Sequence, residues 1–139
     1  MKILAATDGS QYAMKAVRRA LELAMSEGAN VTLVTVAPGS FVYRGGEVPL
    51  GLVHDEIDPH AVSAINEAKA LFDEKGIQVA TVLERGKTAA NAILDIAAKE
   101  EFDLIIMGST GKTGIERFLI GTTASKVVTH AQCSVAVIR

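Results

Sequence analysis

The residues best suited to chemistry lie in a glycine-rich segment near the end of the chain. It reads Gly108-Ser109-Thr110-Gly111-Lys112-Thr113-Gly114, and Gly121-Thr122-Thr123 follows at the start of an expected helix. Glycines let a phosphate chain approach the backbone closely, and the unpaired amides of a helix N-terminus attract anions. The side chains of Ser109, Thr122 and Thr123 add hydroxyl donors, while Lys112 and Arg117 add positive charge. The segment therefore predicts a phosphate-binding site.

The Gly-Lys-Thr within this segment is not a P-loop. That motif needs a glycine five positions before the glycine of Gly-Lys-Thr, and the residue there is Ile106. Two alternatives stay open at this point. The glycines at 108 and 111 can form a tight turn without a ligand, and Lys112 and Arg117 can be solvated loop charges.

A second polar group follows the first apolar run, in the stretch Ala6-Thr7-Asp8-Gly9-Ser10. In an open α/β sheet, ligands bind beyond the carboxyl ends of the strands, so Asp8 is a candidate for the same site. An aspartate at such a turn can also simply cap the following helix. Both interpretations of Asp8 are kept.

The elements that must position these groups alternate along the chain. Apolar runs rich in β-branched residues predict five strands, at Lys2–Thr7, Val31–Ala37, Ile77–Leu83, Leu104–Met107 and Ser134–Ile138. These runs do not alternate with polar residues, which is typical of parallel strands covered on both faces. Amphipathic segments fill the gaps between them, giving the order βαβαβαβαβ. This predicts an open, doubly wound parallel sheet with helices on both faces.

Sequence signals also set the expected ends and faces of the helices. Ser10 is a plausible cap for the first helix and Gly28 its stop, while Asp58 and Pro59 open the second. The third follows Thr88. The fourth begins at Thr122 or Thr123 and should place four apolar residues inward: Ala124, Val127, Val128 and Ala131. Positions 38–54 form an unusually long glycine-rich connection, which we expect to be a loop.

Composition excludes several classes of protein. The chain has 139 residues, 14 basic against 16 acidic, and no tryptophan, so it lacks the basic field that recruits nucleic acid or anionic membranes. No window approaches the apolar length of a membrane span, and the N-terminus enters a strand directly. Cys133 is the only cysteine, and the three histidines show no metal-ligand spacing. We expect one domain, residues 1–139, in the reducing cytoplasm.

The spacing of Gly108, Gly111, Gly121 and Thr122 is G-x2-G-x9-G-[S/T], and with this signature the chain closely resembles the universal stress protein family. The resemblance covers the whole length. It includes the stretches Ala6 to Ser10, Met107 to Ser109 and Cys133 to Ile138, with Val36 near the end of the second strand and Gly86 after the third. One departure is Ala6, where members with the signature often have proline.

This resemblance implies a Rossmann-like sheet of the adenine nucleotide alpha hydrolase type, with strand order 3-2-1-4-5. It implies ATP, together with Mg²⁺, bound across the first and fourth strands, and a homodimer formed through the fifth. Asp8 would serve the ribose, the adenine or the metal, while Ala6 and Val36 would contact the adenine. The other expected ATP-binding residues are Thr7, Met107, Gly108, Ser109, Gly111, Lys112, Gly121, Thr122 and Thr123.

Three functions of different class follow from these features. The leading hypothesis is a nucleotide-dependent switch in the stress response, because the chain has a phosphate site without an evident general base. A protein partner, which the sequence does not identify, would bind according to the state of the switch. The second is a slow ATPase or self-phosphorylating enzyme, since phosphoryl transfer depends mainly on positioning and charge neutralisation. The third is a dimeric interaction scaffold whose nucleotide site is vestigial.

Overall fold

The fold is a central sheet of six strands with helices on both faces. A computed structural model describes residues 1–37, 42–46, 58–85, 87–110 and 120–139. In chain order the elements are β1 (Lys2–Ala6), α1 (Gln11–Glu27), β2 (Asn30–Ala37), β3 (Val42–Gly45), α2 (Pro59–Glu74), β4 (Ala80–Arg85), α3 (Ala89–Lys99), β5 (Leu104–Gly108), α4 (Thr122–His130) and β6 (Ser134–Ile138). In the part of the chain described, no helix is long and apolar enough to cross a membrane.

The sheet has the order β3-β4-β2-β1-β5-β6, so the expected five-strand order is wrong by one strand. The extra strand, β3, runs antiparallel to β4 within the segment expected to be a loop. The other strands are all parallel, and they keep the relative order that the resemblance implied. Most of positions 38–54 lies outside the described residues.

Side-chain hydrogen bonds and an ion pair hold the edge strand β3 against the rest of the fold. The hydroxyl of Thr81 donates hydrogen bonds to the carbonyls of Gly45 and Gly46, the latter at 2.8 Å. Arg44 Nη1 lies 3.3 Å from Glu100 Oε1 at the end of α3. The strand is only four residues long and lies among glycines, so it lacks the apolar run by which the other strands are recognised.

The helices begin and end where the sequence signals place them. Ser10 caps α1, its hydroxyl accepting from the N–H of Ala13, and Gly28 ends the helix in the left-handed region at φ +68°. Asp58 and Thr88 cap α2 and α3 in the same way. The strand expected from Ile77 begins only at Ala80, because the N–H of Ile77 still donates to the carbonyl of Phe72 at the end of α2.

The core consists of two apolar clusters separated by the sheet. Alternate residues of each strand point to opposite faces, so Ile3 and Ala5 join the cluster under α1 and α2, while Leu4 joins the cluster under α3 and α4. Ala124 and Val127 of α4 are buried as expected, and Ala131, which follows the last residue of the helix, is half-buried. The expectation for Val128 is wrong, since it is 48% exposed. The inward stripe of this nine-residue helix is too narrow to include it.

Candidate functional site

A cavity of about 460 Å³ opens at the carboxyl ends of the central strands. It lies where β1 meets β5, the point at which the winding of the sheet reverses and where ligands bind in folds of this type. Apolar lining comes from β2 and α3, through Val34, Val36, Ala89 and Ile93. Polar lining comes from the turn after β1, the end of β5 and the first turn of α4. The cavity therefore has an apolar side and a polar side.

Every expected ATP-binding residue that the structure describes lines this cavity. They are Ala6, Thr7, Asp8, Val36, Met107, Gly108, Ser109, Gly121, Thr122 and Thr123. Gly111 and Lys112 lie outside the described residues, as do Gly86 and Arg117. The structure thus brings together side chains that are more than a hundred positions apart in the sequence.

Sequence reasoning missed part of the apolar lining. Val34 has the same orientation as Val36 because it lies two residues away on the same strand, so this alternation could have identified it. Ala89 and Ile93 lie on one face of α3, four residues apart. Nothing in the sequence indicates that this face covers the carboxyl end of β2, because that contact depends on how α3 packs across the sheet.

The turn after β1 is held in one conformation by a chain of short-range hydrogen bonds. The N–H of Gly9 donates to Thr7 Oγ1 at 3.1 Å, and the N–H of Ser10 donates to Asp8 Oδ1 at 2.9 Å. Gly9 has φ +82°, a conformation that side chains with a Cβ rarely adopt. Ser10, and not Asp8, accepts from the amide of the first turn of α1. The Asp8 carboxylate instead shapes the turn and lines the cavity.

The end of β5 and the start of α4 meet at Ser109. Its N–H donates to the carbonyl of Ile138 on β6 at 2.8 Å, and its carbonyl accepts from the N–H of Gly121 at 2.7 Å. Gly121 is the N-cap residue of α4 and makes no side-chain cap. The N-terminus of a helix carries unpaired amides and a partial positive charge. Because the N-cap residue is a glycine, it has no side chain to bond these groups, and they can bind an anionic ligand in the cavity.

The glycines of the signature are explained in part by packing. A methyl group added at Gly108 would lie 2.8 Å from both Ala13 N and Tyr12 C, so the first turn of α1 packs directly on this residue. At Gly121 the same methyl group would lie 3.2 Å from the Ser109 carbonyl oxygen. Gly108 is thus required by the helix contact even without a ligand, a reason that the sequence argument did not give.

A charged side chain and a buried hydroxyl mark the polar side of the cavity. Among the described lining residues, Asp8 is the only one with an ionisable side chain. The Thr110 hydroxyl is buried and has no hydrogen-bond partner within the described chain. A buried polar atom in this state is destabilising until a partner is supplied, which is consistent with a site completed by a ligand.

The described residues do not hold a metal ion by themselves, because no group of three or more histidine, cysteine, aspartate or glutamate side chains is suitably arranged among them. Mg²⁺ usually binds through one or two carboxylates together with substrate phosphates and water. Asp8 could supply such a carboxylate. The donor set therefore fits a metal that arrives with a phosphate ligand.

Comparison with known proteins identifies the family. A model of the universal stress protein family matches residues 1–139, the full chain. The chain belongs to the universal stress protein family. A universal stress protein of Methanocaldococcus jannaschii is 34% identical over 139 residues, covering 99% of this chain and 81% of that protein.

Solved universal stress proteins share the fold. The structure of one from Archaeoglobus fulgidus in complex with dAMP superimposes with a TM-score of 0.74 at 27% identity, covering 100% of this chain and 98% of the other. Another universal stress protein, solved in complex with cAMP, has a TM-score of 0.74 at 20% identity, covering 100% and 97%. The second likeness concerns the fold alone. Nucleotide binding is thus a property of structural neighbours of this universal stress protein.

Proposed function

We propose that this universal stress protein binds ATP with Mg²⁺ in the cavity between β1 and β5 and acts as a nucleotide-dependent switch in the stress response. The observation that carries the proposal is the N-terminus of α4, whose N-cap glycine has no side chain, in a cavity whose other side is apolar. A nucleotide has the same division, with an apolar base at one end and anionic phosphates at the other. The dAMP complex of the relative supports an adenine nucleotide in particular.

The proposed ligand places the base and phosphates on different elements. The adenine lies against Ala6 and Val36, and the phosphates lie at Gly108, Ser109 and the first turn of α4. Gly111, as a residue of the sequence signature, and Lys112, through its positive charge, complete the proposed phosphate contacts. Asp8 contacts the metal or the ribose. Residues 1–139 act in the cytoplasm as one universal stress protein domain, and a protein partner reads the nucleotide-bound state.

A substitution at Val36 tests whether the adenine lies against the apolar side of the cavity. The substitution Val36→Glu introduces a carboxylate into the apolar side, where burying a charge without a partner is costly. We expect Mg-ATP affinity, measured by equilibrium titration, to fall by about tenfold or more. Met25→Glu is the matched control, because Met25 is 54% exposed on α1 and does not line the cavity. Equal affinities in the two variants would place the base elsewhere.

A substitution at Asp8 tests whether its carboxylate contacts the metal. Asp8→Asn removes the carboxylate charge but keeps the oxygen that accepts from Ser10. We expect Mg-ATP binding to weaken and AMP binding to change little. ATP carries a triphosphate whose charge the metal neutralises, whereas AMP carries a single phosphate and does not depend on the metal in this way. The control is Asp73→Asn, an aspartate on α2 that pairs with Lys69 away from the cavity. A loss of AMP and Mg-ATP binding in equal proportion would assign Asp8 to the ribose.

The switch requires that the two states differ in assembly or partner binding. We expect Mg-ATP to change the sedimentation of the protein or its capture of a partner, relative to the same protein without nucleotide. A protein that binds ATP with no change in either property would be a nucleotide-binding protein without a switch.

A second candidate function is slow phosphoryl transfer to the protein or to water. The observation that favours it is the Thr110 hydroxyl beside the proposed phosphate position, which has no hydrogen-bond partner among the described residues. Incubation with γ-labelled ATP would give labelled protein or released phosphate. If neither exceeds the level of an incubation without the protein, this activity is excluded while the binding function stands. Loss of the label in a Thr110→Val variant would identify the Thr110 hydroxyl as the acceptor.

A further inference from the structure

The turn that carries Asp8 is connected to a buried threonine on the neighbouring strand. The registered pairs of β1 and β2 end at Ala6 and Val34, and the N–H of Thr7 donates to the Val34 carbonyl at 2.9 Å. The carbonyl of Thr7 then accepts a hydrogen bond from the hydroxyl of Thr35. This contact extends the connection between the two strands by a side chain, at the point where the chain leaves the sheet.

Thr35 does not touch the cavity itself. It lies between Val34 and Val36, which both line the cavity, and strand alternation turns its side chain to the opposite face of the sheet. It is 2% exposed. A buried hydroxyl in an apolar layer needs a hydrogen-bond partner, and the Thr7 carbonyl provides it. An apolar residue would be the ordinary choice here if the position served packing alone.

We infer that Thr35 is a positioning residue for the nucleotide site, acting through the backbone of Thr7. The carbonyl of Thr7 belongs to the peptide that joins Thr7 to Asp8, so fixing it sets the direction in which Asp8 enters the cavity. The side chain of Thr7 in turn accepts from Gly9, and that of Asp8 accepts from Ser10. The hydroxyl of Thr35, on the face of the sheet opposite the cavity, therefore orders the turn from Thr7 to Ser10. The inference about ligand binding depends on the proposed function, whereas the ordering of the turn can be measured without a ligand.

The chain offers a matched control at Thr81. This residue is 3% exposed on β4, and its hydroxyl also donates to backbone carbonyls, those of Gly45 and Gly46. Thr81 stabilises the edge strand β3 and not the turn after β1. Thr35→Val and Thr81→Val each replace a buried hydroxyl by a methyl group of similar size. The two variants should therefore lose comparable stability and differ only in which backbone segment is released.

The first readout is hydrogen exchange of the amides of Gly9, Ser10 and Ala13 in the nucleotide-free protein. In Thr35→Val we expect these amides to exchange about tenfold faster, because the turn opens locally. Thr81→Val should leave them unchanged, and Thr35→Ser, which retains a hydroxyl, should resemble the original protein. Unchanged exchange in Thr35→Val would overturn the inference, as would equal acceleration in Thr81→Val.

The second readout is the affinity for Mg-ATP. We expect Thr35→Val to bind about tenfold more weakly, with Thr81→Val and Thr35→Ser close to the original. Faster exchange with unchanged affinity would show that Thr35 orders the turn but does not position the ligand, which overturns the inference. If the original protein binds no adenine nucleotide, the proposed function fails, and the exchange of the three amides still decides whether Thr35 orders the turn.

Discussion

The N–H of Gly121 donates a 2.7 Å hydrogen bond to the carbonyl of Ser109, and this contact joins the start of α4 to the end of β5. It brings two parts of the glycine signature together at one place in the fold. It also uses an amide that precedes the helix, so the amides of the first turn are left for a ligand. The geometry of the proposed phosphate site depends on this pair.

Placing a carboxylate at the N-cap of α4 should separate helix stability from ligand binding. In Gly121→Asp the new side chain caps the free amides and repels phosphate, so we expect Mg-ATP affinity to fall by about tenfold or more. Calorimetric titration measures the affinity, and urea denaturation confirms that the protein stays folded. The control is Asp58→Ser, which exchanges the N-cap residue of α2 outside the cavity lining. Unchanged affinity in Gly121→Asp would argue against phosphate at this helix.

Gly108 should be required for stability in the absence of any nucleotide. The methyl group of Gly108→Ala would lie 2.8 Å from backbone atoms of Tyr12 and Ala13, which cannot move without shifting α1. We expect the free energy of unfolding to fall by about 1–3 kcal/mol, as for other overpacked sites. Gly46→Ala is the control, because among the described residues the methyl group there meets only the flexible end of Lys69, at 3.6 Å. Similar stability in both variants would refute the packing role.

The exposed apolar side chain of Val128 should be covered in the expected homodimer. α4 packs beside β6, an edge strand whose residues Val135 to Ile138 are only half-buried in the single chain. An apolar edge of this kind favours pairing with a second copy. We expect Val128→Asp to raise the dissociation constant of the dimer, measured by light scattering, by about tenfold. Met25→Asp is the control, because Met25 is also exposed. Dissociation in neither variant would show that α4 lies outside the interface.

Cys133 should react slowly while the protein is folded. Burial raises the pKa of its thiol, so less of the reactive thiolate is present near neutral pH. Because the folded pKa lies above the unfolded one, this difference favours folding below the unfolded pKa and is lost as the pH rises through the folded pKa. We expect alkylation near pH 8 to be slower than after unfolding in guanidinium. Equal rates in the two states would contradict the effect of burial.

Much of this fold follows from local signals in the sequence. β-branched apolar runs identify the parallel strands, and Ser10, Gly28, Asp58 and Thr88 mark helix ends because caps act within a few residues. The same local logic fails for β3, which is short and is stabilised by distant partners such as Glu100.

The candidate site shows the same division between local and long-range signals. The signature and the strand ends identify many of the residues that line the cavity, because ligand sites in these folds lie beyond the carboxyl ends of strands. The contact of Gly108 with α1 and the bond from Thr35 to Thr7 could not be predicted, since each depends on tertiary packing. Val128 shows the opposite error, because helical spacing alone does not define how wide the buried stripe of a short helix is.

The central claim is that the cavity between β1 and β5 binds ATP with Mg²⁺, and calorimetric titration of the purified protein with Mg-ATP tests it most directly. We expect saturable binding of one nucleotide per chain, and the same titration of Gly121→Asp should show binding that is weaker by about tenfold or more. Absence of saturable binding to the folded protein at millimolar Mg-ATP, or equal binding by Gly121→Asp, would contradict the account.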